Sequence, residues 1–405
     1  MGRLREATAS LKTLNDWLSW QENLHQSVID LGLERIEIVY AKLFPNGVPF
    51  KVITVAGTNG KGSTIAFIDS VYSQSAYKVG RFTSPHLIDY NERFAIDGKL
   101  ATDDMIINAF ETIEAIRGDV SLTYFEFSTL AALQIFAGAE IDIAILEIGL
   151  GGRLDSVNVV DNDICIITNI AIDHTDYLGD TRELIGREKA GIMRANKLCI
   201  CGDENPPSTL VNYAKEINAL LEFIDKPYTG KISLEGEHQK HNAGVALRVI
   251  EVLQSQFPIS DDLIESGFEQ ANVVARFQKM VIGDKQVILD VAHNSAAVEK
   301  LVDTLKTSNV KTVAIFSALA DKNIDDMIDL AKETFTHWFL VPLDVERAIQ
   351  IELLQAKFDT SLTTTICQDM NSAIENALAL NDAQRIVIFG SFHTITDATL
   401  ILREN

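Results

Sequence analysis

Three glycines and a lysine stand between a β-rich run and a helical one in ITVAGTNGKGS, Ile53 to Ser63. Strand, glycine-rich loop, lysine and helix in that order form a cradle for a polyphosphate. The glycines free backbone N–H groups to point at the anion, the positive end of the helix faces it, and the lysine neutralises the terminal phosphates. The pattern implies ATP or GTP, against the plainer reading of a glycine-rich turn with an exposed lysine. It departs from the common P-loop signature, which has four residues between its first Gly and the Gly-Lys pair and a Ser or Thr straight after the lysine to ligate magnesium. Here only Thr58 and Asn59 separate Gly57 from Gly60, and Gly62 follows Lys61. The hydroxyl for the metal must therefore come from Ser63, one position late, or from another loop.

Other residues that can do chemistry sit just after apolar runs of strand length. Ser84, in the TSPH loop after 79–83, either supplies that hydroxyl or is a turn serine before proline. Glu147 stands at the end of the run IDIAILEI, with only Ile148 between it and GLGGRLD, a placement that suits a magnesium ligand beside a phosphate loop. His174 stands between Asp173 and Asp176 after 163–169, and three readings stay open for it: metal ligand, base, or surface loop. Lys189, within REKAG on a helix, reads locally as a solvated charge. Asp290 and His293 follow the run 286–290, and Arg276 precedes it by a short stretch from which it could reach phosphates.

Such residues need elements that bring strand ends together. Apolar runs alternate with helical periods from start to finish, the pattern of a mostly parallel sheet wound by crossover helices. Strands are expected at 51–56, 79–83, 141–148, 163–169 and 197–201, and helices within 14–43 and at 61–75, 103–117, 127–138, 182–193 and 238–255. The pattern resets near 277: a hairpin at 278–282 and 286–290 turns on Gly283 and Asp284. Helix and strand alternation then resumes at 295–307, 311–317, 323–334, 336–341, 345–357, 370–380 and 385–390. The fold class is α/β, with a P-loop domain over 1–276 and a smaller Rossmann-like α/β domain over 277–405. Ligands of such sheets meet the loops at the carboxyl ends of the strands.

Composition narrows the partners. At 405 residues the chain exceeds what one core usually organises. The formal charge of −22 repels nucleic-acid phosphates, so anionic small ligands must be met by local cationic groups. The early segment does not read as a secretory leader and no apolar run reaches membrane-spanning length, so a cytoplasmic protein is expected. Cys165, Cys199, Cys201 and Cys367 lack zinc spacing and read as buried free thiols.

Taken together, the motifs resemble those of the folylpolyglutamate synthase and dihydrofolate synthase family of ATP-dependent amide ligases, relatives of the Mur ligases. The segments are ITVAGTNGKGS at 53–63, SPHL at 84–87, TYFEF at 123–127, ILEIGLGGRLDSVNVV at 145–160, DHTDYLG at 173–179, REKAGI at 187–192, HNAGVAL at 241–247, ARF at 275–277 and DVAHN at 290–294. The resemblance implies that Thr58, Asn59, Gly60 and Lys61 hold ATP, with Asn242 near the adenine and Arg276 and Asp290 contributing from the linker and second domain. Ser84 and Glu147 would ligate one magnesium ion, and Glu147 with His174 a second, bridged by a carbamylated Lys189. Lys61, His174 and Lys189 would thus serve catalysis. Thr123, Tyr124, Phe125 and Glu126, with Leu154, Asp155 and Ser156, resemble the dihydropteroate pocket of the bifunctional bacterial type, and His293 and Ser391 are candidates for L-glutamate.

The implied reaction joins L-glutamate to dihydropteroate, and to the glutamate tail of reduced folates, in a monomeric enzyme with no nucleic-acid or membrane partner. A monofunctional folylpolyglutamate synthase is the alternative. A Mur-type ligase would carry a further N-terminal domain that the stretch ahead of Ile53 is too short to hold, and a nucleotide switch would not need DVAHN or a second metal set.

Overall fold

Sheet order is what brings the glycine loop and its neighbours together. The structure, a computed structural model, describes residues 11–404 except 28, 225 and 309. Among these, contacts cluster into two units. The first holds the chain up to Ile170 with Thr181–Lys231 and His241–Ala271; the second holds Ala171–Asp180, Ile232–Lys240 and Asn272–Asn405.

The first unit contains β1 (Lys51–Ala56), β2 (Val79–Phe82), β3 (Phe94–Ile96), β4 (Lys99–Leu100), β5 (Ile143–Glu147), β6 (Ile164–Ile167), β7 (Leu198–Cys201) and β8 (Leu220–Phe223). They form one sheet in the order β4-β3-β2-β5-β1-β6-β7-β8, parallel except for the β3 and β4 edge. β1 lies at the centre with β5 on one side and β6 on the other, and the register pairs Val55 with Glu147 and Ala56 with Ile167. β2 pairs Phe82 with Leu146 on the far side of β5. Three strands beside and near β1 therefore end level with the glycine loop. These strands are near-continuous apolar runs because both faces of a parallel sheet are covered. The helix Lys61–Tyr72, for example, is buried along most of its length. It packs on the helix Asp261–Gln270, where a Cβ at Gly267 would stand 2.5 Å from Val71 and where Phe67 meets Phe268 at 5.1 Å.

The second unit contains β9 (Gln278–Ile282), β10 (Lys285–Leu289), β11 (Thr312–Phe316), β12 (Trp338–Leu340), β13 (Thr364–Ile366) and β14 (Arg385–Phe389). Their order is β13-β12-β11-β14-β10-β9, parallel save for the β9–β10 hairpin. Its core is a set of aromatic rings, Phe316, Phe335, Trp338, Phe358 and Phe389, filled in by aliphatic side chains.

Several elements differ from the sequence pattern for identifiable reasons. The helix expected from 127 begins at Tyr124, because Thr123 caps it and Glu126 returns the bond to the Thr123 N–H. The stretch 345–357 keeps only one short helix, Ile351–Gln355, since Arg347 and Ala348 are drawn into bonding with Ala320 and Leu319. β8, β13 and the β3–β4 pair were not read, being short and partly exposed at sheet edges, nor were the helices Ser208–Glu216 and Asp261–Gln270. Among the described residues, no helix is long and apolar enough to cross a membrane.

Candidate active site

At the carboxyl end of β1 the chain closes a tight loop. The Thr58 N–H donates to the Asn169 carbonyl at 3.0 Å, the Asn59 N–H donates to Asn169 Oδ1 at 2.7 Å, and Thr168 Oγ1 donates to the Asn59 carbonyl at 2.6 Å. Gly57 is required here: its φ is 152°, and a Cβ would fall 1.8 Å from Thr168 Oγ1. Gly60, at φ 84°, caps the helix Lys61–Tyr72 in the left-handed region, with Asn242 Oδ1 only 2.7 Å from where its Cβ would be. The first N–H groups of that helix have no intrahelical acceptor, which makes its start an anion site. Lys61 Nζ donates to the carbonyls of Gly57 (3.0 Å) and Thr58 (3.4 Å) and lies 4.0 Å from Glu147 Oε1.

Glu147 is 6% exposed at the tip of β5, and its Oε2 accepts the Ser84 N–H at 3.0 Å. Lys61, Ser84 and Glu147 thus share one place. The loop after Glu147 is laid against the end of the helix Arg182–Ala190: Arg153 N–H donates to the Glu188 carbonyl at 2.8 Å, and its guanidinium binds Glu188 Oε1. Gly152 makes this possible, as a Cβ there would stand 2.8 Å from the Glu188 carbonyl and 3.1 Å from Lys189 Cα. Lys189 is 3% exposed, so its amine is buried rather than solvated, with its backbone against the loop at Gly152.

Among the described residues, no three or more His, Cys, Asp or Glu side chains gather as a metal-holding group. A hydroxyl, one carboxylate and a site for phosphate oxygens suit magnesium, which is bound through one or two carboxylates with phosphates and water. The residues present fit such an ion, and a second would need Lys189 to carry oxygens.

Next to Ser84 a cavity of about 250 Å³ is lined by Thr123, Phe125, Glu126, Leu154, Asp155 and Ser156, together with Arg93 and the chain at 29–32. Tyr124 is not in its lining; its ring packs on Tyr90 at 5.7 Å and lies under the Arg93 guanidinium at 5.6 Å. The Phe125 ring stacks on Phe82 at 5.9 Å and takes the space that a Cβ of Gly149 would fill. Glu126 bonds the Thr123 N–H at 2.7 Å and the Arg35 guanidinium at 3.3 Å, which binds it into the wall. Asp155 accepts N–H bonds from Leu150 (2.8 Å) and Val157 (2.9 Å). Burial outweighs those bonds and pushes its carboxyl up to about 6. Arg93 and Arg35 carry no mark in the sequence: each follows a glutamate, Glu92 and Glu34, and reads as an ordinary surface charge.

The second unit holds the other candidates. Arg276 lies between Ala275 and Phe277, both with positive φ, and its guanidinium sits 5.6 Å over the Phe392 ring. Asp290 accepts the N–H groups of Phe277 and Ala292 at 2.8 Å each; burial raises its pKa against the pull of Arg276. His293 Nδ1 donates to the Val291 carbonyl at 2.7 Å. Ser391 Oγ is buried and accepts the Thr394 N–H at 3.0 Å. His174, with a left-handed backbone at φ 52° and ψ 43°, starts the short helix Thr175–Leu178. Asp173 next to it is held well below the usual carboxylate range: burial acts to raise it, but a hydrogen bond from His293 and the charge of Lys322 prevail.

Two family descriptions match the chain, Mur ligase middle domain over residues 55–223 and Mur ligase glutamate ligase domain over residues 275–392. The dihydrofolate synthase/folylpolyglutamate synthase of Escherichia coli (strain K12) is 38% identical, covering 97% of this chain and 96% of that protein. A solved E. coli FolC in complex with DHPP and ADP superposes with a TM-score of 0.91 at 37% identity, covering 97% and 98% of the two chains. A bifunctional folylpolyglutamate synthase/dihydrofolate synthase crystallised with Mn, AMPPNP and L-glutamate gives a TM-score of 0.88 at 36% identity, covering 97% and 98%.

Replacing Gly57 with Ala should destabilise the chain by about 1–3 kcal/mol, because the new Cβ meets Thr168 and the backbone angle is unsuited to it. The readout is a lower denaturant midpoint at unchanged slope; an unshifted midpoint would refute the packing described.

Proposed function

The chain belongs to the dihydrofolate synthase/folylpolyglutamate synthase family of ATP-dependent ligases, and from that premise we propose that it joins L-glutamate both to dihydropteroate and to the glutamate tail of reduced folates. What carries this reading is the adjacency, within one unit, of the Lys61 loop, the Ser84–Glu147 pair and the cavity holding Phe125 and Asp155.

A carboxylate is inert toward an amine because its leaving group would be oxide. A carboxylate oxygen of the pteroyl substrate therefore attacks the γ-phosphorus of ATP, and ADP departs. The glutamate amine then attacks the acyl carbon, loses a proton, and phosphate leaves with that oxygen. The Gly57–Lys61 loop and the helix start bind and orient the polyphosphate, and Lys61 sets a positive charge where negative charge builds up. Thr58, Asn59 and Gly60 shape this loop, with Asn242, Arg276 and Asp290 assigned to the remainder of the nucleotide.

Ser84 and Glu147 would hold one divalent ion, and Glu147, His174 and a carbamylated Lys189 a second. Bound there, the ions would lower the cost of crowding phosphoryl and carboxylate oxygens. Carbamylation, the addition of carbon dioxide to the Lys189 amine, would turn a buried cation into a two-oxygen anion. The flat pterin ring is assigned to Phe125 with Asp155 accepting from its ring N–H groups, and glutamate to His293 and Ser391. The division at 1–276 and 277–405 is proposed as the functional one, and the enzyme as a cytoplasmic monomer acting on small molecules.

Purified protein given ATP, magnesium, L-glutamate and either dihydropteroate or a tetrahydrofolate should release ADP only when both organic substrates are present; ATP turnover indifferent to them rejects the assignment. Lys189→Ala should cost at least about 100-fold in turnover while AMPPNP affinity stays within a few-fold, and unchanged turnover would remove the carbamate. Since Asp155 is ionised only above about pH 6, kcat/KM for dihydropteroate should fall as pH drops through that value, and the fall should be absent in Asp155→Asn. A parental profile flat across that range would contradict the role given to Asp155.

A further inference from the structure

Lys322 is a buried lysine to which neither the motif reading nor the mechanism gives a task. It lies in the loop after β11, its side chain 5% exposed, and its Nζ stands 2.5 Å from Asp173 Oδ1. The same Asp173 Oδ1 accepts the His174 N–H at 2.8 Å. Oδ2 accepts the Asn294 Nδ2–H at 3.0 Å and is 3.4 Å from His293 Nε2. One buried carboxylate is thus the common partner of a lysine from the loop after β11, an asparagine and a histidine from the loop after β10, and the backbone of His174. All five residues belong to the second unit.

That arrangement costs more than a hydrophobic filling would. Two ions taken out of water regain the loss only through close geometry and further hydrogen bonds, and removing one partner leaves the other charge stranded. His174 adds a second cost, since a non-glycine residue in the left-handed region persists only where its surroundings hold it. The Asp173 carboxylate supplies that hold through the His174 N–H, and Lys322 fixes the carboxylate.

We propose that Lys322 is a positioning residue: by clamping Asp173 it sets the backbone of His174 and the ring of His293, and through them the use of the divalent ion and of L-glutamate. This rests on the roles given to those two histidines above. Nucleotide binding by the Lys61 loop does not depend on it.

The test is a cycle of Lys322→Met, Asp173→Ala and the double variant, with two readouts: KM and kcat for L-glutamate, and Mn2+ binding in the presence of AMPPNP followed by electron paramagnetic resonance. Each single variant should raise the glutamate KM and weaken Mn2+ binding by about tenfold or more, with AMPPNP affinity held within a few-fold. Because Lys322 acts through Asp173, the double variant should be no worse than Asp173→Ala. Lys322→Met leaves Asp173 without its cation and is the variant most prone to unfold; the double variant removes both charges, and its comparison with Asp173→Ala then decides alone. Parental glutamate KM and parental Mn2+ affinity in a folded double variant would overturn the proposal, as would losses that add. The Mn2+ readout needs no turnover, so it stands even where the parental enzyme fails to use glutamate, an outcome that would count against the function instead.

Discussion

The N-terminal unit is organised around a lysine and a carboxylate that approach each other without closing a tight pair. Lys61 Nζ is bonded to two carbonyls of its own loop and stays 4.0 Å from Glu147 Oε1, while Glu147 takes an N–H from Ser84 on its other oxygen. A buried carboxylate in contact with a full ion pair would be satisfied and chemically spent. Here the spacing leaves the lysine able to turn to a phosphate and the carboxylate able to ligate a cation. In a chain with a formal charge of −22, a polyanion can bind only where such a local arrangement reverses the field.

The sheet makes that arrangement hold. β1 lies between β5 and β6 in parallel register, so the loops that follow them emerge side by side. Glycines then permit approaches that any side chain would block: Gly57 against Thr168, Gly149 against the Phe125 ring, Gly152 against the backbone at Glu188 and Lys189. The same short loop from Glu147 to Asp155 therefore serves three surfaces, the phosphate side through Glu147, the cavity through Leu154 and Asp155, and the buried lysine through Gly152.

Much of this was legible in the sequence because strand ends are easy to find and ligands meet parallel sheets there. That rule alone points to Glu147, Ser84 and His293. It misses Lys189, because the burial of that lysine comes from a loop more than thirty residues upstream, which the helical period around REKAG cannot reveal. Thr123 and Glu126, singled out only as part of a flat-ring pocket, prove also to form a capping box that starts a helix. Lys322 escaped for the reason Lys189 did: its partner Asp173 lies far away in sequence, and a lysine in a polar loop carries no local mark of being buried. The missed helices and edge strands are short or half exposed, where pattern is weakest and pairing with a distant neighbour decides.

The chemistry turns on activation of the substrate carboxylate by phosphorylation. Dihydropteroate bearing 18O in its carboxylate, turned over with ATP and L-glutamate, tests it directly. One labelled oxygen should appear in each inorganic phosphate released, carried there from the acyl phosphate. Phosphate free of label, with amide still formed, would contradict it.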